Sequence, residues 1–153
     1  VKHCFCAVGN GVVRLKISQL MLDAGMELIN VVHPHSYISS SVNIGVGNHI
    51  KSGVIIETNC KIGNNCIIDN GVVIAHDNKI KDGCHLAPGV SLGSNIKVGK
   101  CAVLGIGVSV STNIVIGDYC IISVGSSVTG NIEKNSLVEG VPGKLIGRRN
   151  FGN

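Results

Sequence analysis

From Ile38 to Val128 an aliphatic residue stands at every sixth position, sixteen times without a break. Four residues after each comes a second set, mostly small or aliphatic, running from Val42 and Asn48 through Cys60, Cys66, Val72, Asn78 and Cys84 to Ser126 and Ile132. A period of six is neither the 3.6 of a helix nor the plain alternation of a strand. It predicts a short strand followed by a turn, with the first and fifth positions of each hexad facing inward, so that every hexad forms one side of a prism. Gly45, Gly63, Gly93, Gly99, Gly105 and Gly117 directly follow the aliphatic residue and are expected to keep the outer wall thin. Asn, Asp and Gly near the turns tolerate positive φ.

The pattern differs at both ends. Before the repeat, a strand is expected over 4–8, a loop over 9–11, an amphipathic helix over 14–25 and a second strand over 26–32, with His33-Pro34 as the entry to the repeat. One βαβ unit is too small to fold alone and looks like the last part of an α/β nucleotide-binding domain. Residues 131–135 break the period, and the ending carries clustered positive charge at Lys144, Arg148 and Arg149. The expected organisation is 1–34 as a remnant of an α/β nucleotide-sugar-binding domain, 35–133 as the repeat, and 134–153 as a cap and tail.

Composition narrows the function. With 21 Gly, no Trp and 3% aromatic residues, the core must be built from small branched side chains. The formal net charge of +4 has no dense basic block suited to nucleic acid. Seven cysteines is an odd number without disulfide or metal-knuckle spacing, so free thiols in a reducing cytosol are expected. Cys60, Cys66, Cys84 and Cys120 fall at inward positions, Cys101 at a turn, and Cys4 and Cys6 in the opening strand. No run of 18 apolar residues and no basic-then-apolar opening is present in the chain, so the expectation is a cytoplasmic protein without a membrane partner.

The sharpest chemical feature is His76-Asp77, two residues past inward Ile74 and therefore at a turn. A corner histidine reaches a substrate, its ordinary pKa of about 6.5 suits a base, and a neighbouring carboxylate fixes its tautomer. Corners of such a prism are polar anyway, so the pair is weak evidence alone. Asp69 lies seven residues before and His85 nine after.

Ile62-Gly63-Asn64-Asn65-Cys66-Ile67 resembles the hexapeptide-repeat acyltransferases, whose fold is a left-handed parallel β-helix with three sides and 18 residues per coil. Val72-Val73-Ile74-Ala75-His76-Asp77, followed by His85-Leu86-Ala87-Pro88-Gly89, resembles their sugar-acetyltransferase branch, the NeuD and PglD type. Ala7-Val8-Gly9-Asn10 with Arg14, and Val32-His33-Pro34 with Ile38-Ser39, are similar to that family's passage from its first domain into the helix. Gly140-Val141-Pro142-Gly143-Lys144 is similar to its Gly-x-Pro-Ala-Lys ending, with Gly143 for Ala. Two departures stand out. Asp69 replaces a frequent Asn, which would bring a second negative charge near the base, and the glycine-rich strand-turn-helix that opens the nucleotide domain is missing.

The resemblance implies a mainly β protein that moves an acetyl group from acetyl-CoA to the amino group of a nucleotide-linked sugar. His76 is then the general base with Asp77 behind it. An 18-residue coil stacks His76, Ser94, Thr112 and Gly130 in one column, and acetyl-CoA is expected against His85, Gly93, Ser94, Thr112, Lys144 and Arg148. Gly9, Asn10, Arg14 and Asp69 are expected to bind substrate, with no metal and a homotrimer as the assembly. O-acetylation of a sialic-acid-like sugar is the alternative chemistry. An inactive structural remnant is the alternative of another class. A zinc hydratase is disfavoured because His49, His76 and His85 lack a closely spaced pair, and an ice-binding helix because repeated Thr columns are absent.

Overall fold

The structure is a computed structural model describing residues 2–149. It opens with β1 (Lys2–Cys4), α1 (Gly11–Asp23) and β2 (Met26–Leu28), and β1 and β2 pair in parallel. The expected βαβ order is present with shifted boundaries. The helix begins at Gly11 because Asn10 caps it, its Oδ1 accepting from the Val12 and Val13 N–H groups at 3.1 Å each. The helix is also not amphipathic in the expected sense. Its buried stripe is Gly11, Arg14 and Ser18, whereas Val12, Val13, Leu20 and Leu22 are exposed.

Val31–Val32 is not part of β2; it already pairs with His49–Ile50 as the first rung of a three-sided parallel β-helix. Face 1 continues through Ile67–Ile68, His85–Leu86, Val103–Leu104 and Ile121–Ile122, and ends on an antiparallel hairpin of Ser136–Glu139 with Lys144–Arg148. Face 2 stacks Tyr37–Ile38, Ile55–Ile56, Val73–Ile74, Ser91–Leu92, Ser109–Val110 and Ser127–Val128. Face 3 stacks Asn43–Ile44, Lys61–Ile62, Lys79–Ile80, Lys97–Val98 and Val115–Ile116. Val73 pairs with Ser91 and Ser91 with Ser109, an 18-residue coil.

The second residue of each rung points inward. Ile50, Ile56, Ile68, Ile74, Leu86, Leu104 and Ile122 are fully buried, and Val54, Cys60, Cys66, Val72, Cys84 and Cys120 at the fifth positions complete the core. All seven cysteines are free. Inward Asn78 is also fully buried, and its amide is satisfied. Nδ2 donates to Ala75 O (2.6 Å) and Gly93 O (2.8 Å), and Oδ1 accepts from the Ile96 N–H (2.7 Å). Asn48 performs the same role five hexads earlier, donating to Gly63 O and accepting from the Cys66 N–H.

Each turn places one residue in the left-handed region, at every sixth position from Gly47 to Gly125, including Asn59, Asp77, Asn95, Cys101 and Tyr119. The glycines after the aliphatic residue have a different cause than a thin wall. A Cβ on Gly99 would fall on the backbone of Gly117 and Asp118, and one on Gly117 on the backbone of Lys134. Consecutive coils approach there too closely for any side chain.

Candidate functional site

His76 lies on the corner between Faces 2 and 3, after Val73–Ile74 and before Lys79–Ile80. Neighbouring coils clamp that corner from both sides, with Asp77 N–H donating to Thr58 O (3.0 Å) and Asn95 N–H to His76 O (3.1 Å). The left-handed Asp77 (φ 63°) turns its carboxylate back onto the preceding ring, where Oδ2 meets His76 Nδ1 at 2.7 Å. One coil on, Ser94 Oγ lies 2.9 Å from His76 Nε2. The hydrogen bond from His76 holds the Asp77 carboxyl below the usual carboxylate range, and Asn59 adds to that effect. An ionised Asp77 accepts the hydrogen bond from the Nδ1–H, which fixes that tautomer and leaves Nε2 as an acceptor to which the Ser94 hydroxyl donates. The imidazole is half exposed, so it is both oriented and reachable.

Thr112 continues the column, exposed and adjacent to Gly93. The Gly93 N–H is committed to Val110 O at 2.9 Å. It is therefore not free to stabilise an oxyanion, which leaves the Ser94 N–H, without an intramolecular acceptor among the described residues. Asn78 pins this corner from inside, because it ties the His76 turn to the Ser94 turn through Ala75 O and Gly93 O. Its place at a position otherwise small or aliphatic is the signal by which the sequence marks it.

His85 is elsewhere. It lies on Face 1, opposite the His76 corner, with about 10 Å of packed core between opposing sheet surfaces. Within one chain the two histidines do not share a site. Asp69 goes with His85, not with His76: its Oδ2 meets His85 Nε2 at 2.7 Å while Oδ1 is ion-paired with Lys51. Burial pushes the Asp69 carboxyl up, but hydrogen bonds from Lys51 and His85 prevail and hold it below its ordinary value. The expected second negative charge beside the base is absent, and Lys51 neutralises it where it does lie.

Of the residues expected to bind substrate at the N-terminal end, Gly9 and Asn10 are exposed at the start of α1, with the Asn10 side chain capping the helix. Arg14 is not available. Its side chain is fully buried and donates to five backbone carbonyls, those of Val8, Gly9, Asn65, Gly83 and Cys84, at 2.6–3.2 Å. Expected to bind substrate, it is instead the bolt that fastens α1 to the β-helix, assisted by Ser18 Oγ on Asn65 Oδ1 at 2.7 Å. At the other end Arg148 is ion-paired with Glu133, and Lys144 is exposed on the hairpin.

No group of three or more metal-ligating side chains exists among the described residues, and no helix is long and apolar enough to cross a membrane. Residues 59–94 match the family described as bacterial transferase hexapeptide (six repeats). No curated protein sequence matches the chain. Among solved structures, a histidine-to-asparagine mutant of perosamine N-acetyltransferase from Caulobacter crescentus, in complex with CoA and GDP-perosamine, is 33% identical with a TM-score of 0.95, covering 96% of this chain and 70% of that one. WeeI from Acinetobacter baumannii AYE is 27% identical with a TM-score of 0.91, covering 95% of this chain and 71% of that one. The acetyltransferase domain of PglB from Neisseria gonorrhoeae FA1090, 24% identical with a TM-score of 0.90 over 92% of this chain and 68% of that one, shares the fold. The chain belongs to the hexapeptide-repeat sugar acetyltransferases.

Proposed function

We propose that the chain transfers the acetyl group of acetyl-CoA to the amino group of a nucleotide-linked sugar, with His76 as general base. The observation that carries this reading is the hydrogen-bonded series Asp77, His76, Ser94, which presents an unprotonated Nε2 at an exposed corner. His76 Nε2 takes the proton of the acceptor nitrogen as that nitrogen attacks the thioester carbonyl, and Asp77 stabilises the imidazolium. The new C–N bond forms, the C–S bond breaks, and His76 returns the proton to the departing sulfur. The Ser94 N–H is the donor available to the developing oxyanion, which Gly93 is not. The perosamine N-acetyltransferase complex, holding CoA and an amino sugar on a nucleotide, supports both substrate classes.

In this reading the assembly is a homotrimer. Face 1 carries Ile67, Val103 and Ile121 outward, Face 2 carries Ile55 and Val73 followed by the small, uncharged Ser91, Ser109 and Ser127, and their shared corner exposes Ile106 and Val124. Packing Face 2 of one subunit against Face 1 of the next buries these residues. It also carries a neighbour's His85 toward His76, and Asp69 with Lys51 fixes that ring to hold the acyl donor. Gly9 and Asn10 remain exposed for the nucleotide end of the acceptor.

The test is to incubate the protein with acetyl-CoA and a panel of nucleotide-linked amino sugars and free sialic acids, following acetylated product by mass. An N-acetylated nucleotide sugar is the expected product. A product from sialic acid alone moves the assignment to O-acetylation, and no product from any acceptor overturns the reading.

A further inference from the structure

Face 3 carries charge in an arrangement that folding does not favour. Lys61, Lys79 and Lys97 occupy the outward position of three consecutive rungs in register, about 4.8 Å apart. Like charges directly opposite one another across strands are destabilising, and an alternating acid would cost nothing in this fold. None of the three makes an ion pair among the described residues, whereas Lys81 is paired with Asp118 and Arg148 with Glu133.

Two adjoining grooves run along this face, of about 690 Å³ and about 420 Å³, with Val98, Gly99 and Ile116 in the floor of the larger and Lys79 in the wall of both. Their walls hold seven cations (Lys61, Lys79, Lys81, Lys97, Lys100, Lys134 and Arg148) against three acids (Asp82, Asp118 and Glu133). That excess of four equals the formal net charge of the entire chain, so the rest of the molecule is balanced and its whole positive excess lies along these grooves. The lysines of this face also follow directly on the His76 corner, Lys79 being three residues past His76 and Lys97 three past Ser94.

We infer that the lysine row of Face 3 is a diphosphate-binding track, holding the diphosphate of one of the two substrates while its reacting end reaches His76. The inference rests on the proposed acetyl transfer only for the identity of those substrates; both acetyl-CoA and a nucleotide-linked sugar carry a diphosphate ester. Ammonium groups on flexible stems at strand spacing converge on adjacent phosphates, and the apolar floor suits the nucleoside or pantetheine that the diphosphate joins. The track extends along Face 3 toward the C-terminal hairpin, whose Arg148 lines the larger groove.

The experiment is equilibrium binding by calorimetry at two salt concentrations, for the wild type, the Lys79→Gln/Lys97→Gln double variant, and a Lys2→Gln/Lys16→Gln double variant that loses the same charge elsewhere. The probes are CoA, pantetheine, GDP and UDP. Loss of roughly tenfold or more in affinity for CoA, with pantetheine unaffected, assigns the track to the acyl donor; the same loss for GDP or UDP assigns it to the acceptor. Either result is accompanied by a weaker salt dependence. Equal affinity of the two double variants for all diphosphate probes overturns the inference. Because binding is read without turnover, that failure is distinct from a failure of the acetyl-transfer reading, which shows as wild-type protein that forms no acetylated product.

Discussion

Asp77 and His76 are neighbours in sequence, yet their side chains meet at 2.7 Å because Asp77 adopts a left-handed backbone at the turn. The same conformation recurs at every sixth residue, so the pairing uses a turn that the β-helix makes anyway. Its consequence is chemical. The carboxylate directs the Nδ1 proton inward and leaves Nε2 facing Ser94 and solvent. Asp77→Asn keeps the shape but offers an amide that bonds to either tautomer, so kcat is expected to fall by about tenfold or more with KM little changed. Steady-state kinetics at saturating acceptor checks this, and an unchanged kcat removes Asp77 from the mechanism.

Asn78 ties the His76 and Ser94 turns together from within the core. Asn78→Ala leaves the Ile96 N–H and the Gly93 carbonyl without their Asn78 partner, while Ala75 O keeps the Cys60 thiol, and the expected loss is about 2–3 kcal/mol. Urea unfolding measures it. A loss below about 0.5 kcal/mol would show that the coils hold that corner without the amide.

Arg14 predicts a local rather than global effect. Arg14→Met leaves the carbonyls of Val8, Gly9, Asn65 and Gly83 without their donor, Cys84 O keeping the Ile67 N–H, and releases α1, while the β-helix core, which Arg14 does not enter, stays folded. Amide exchange over 9–28 should accelerate by at least an order of magnitude with the rungs protected. Arg14→Lys should not rescue it, since a point charge lacks the planar fork that reaches five acceptors. Rescue by lysine would contradict the assignment.

The Asp69 site sets a pH dependence. Its folded pKa is depressed, so the stability it contributes is fully present above the ordinary carboxylate pKa of about 4 and is lost as pH falls through the lower folded value. Melting temperature followed from pH 5 down to about pH 2.5 should decline more steeply in wild type than in Asp69→Asn. Parallel curves would mean that Lys51 and His85 do not hold the charge.

The lysine row separates function from stability. If the stacked ammonium groups repel, Lys79→Gln raises stability by a few tenths of a kcal/mol at low salt, and the gain shrinks as salt is added. Lower stability in the variant would show that the row contributes to the fold, and the argument for a binding track would lose its main support.

Much of this architecture is readable from residue spacing because inward positions repeat without a gap, and any slip would expose Ile50, Ile56 or Ile74. The His76-Asp77 corner follows from the same counting, and so does Ser94 stacked 18 residues on. What counting does not provide is which face opposes which corner. His85, nine residues past His76, reads as a nearby partner, yet one and a half hexads carry the chain to the far side of the prism. The Asp69 pairing with Lys51 and His85 requires that same three-dimensional register. Arg14 misleads for a different reason: beside Gly9 and Asn10 its charge reads as a substrate ligand, and only the converging carbonyls of Asn65, Gly83 and Cys84 reveal a built cavity for it. The hydrophobic face of α1 is likewise turned outward, since polar residues dock it.

Whether His76 acts as the base is decided by single-turnover acetyl transfer by His76→Ala, with CoA binding and the melting temperature measured on the same sample. A base at this position means a loss of about 10²- to 10⁴-fold in rate with binding and melting unchanged. A rate within a few-fold of wild type, in a variant that still binds CoA and melts normally, would contradict it.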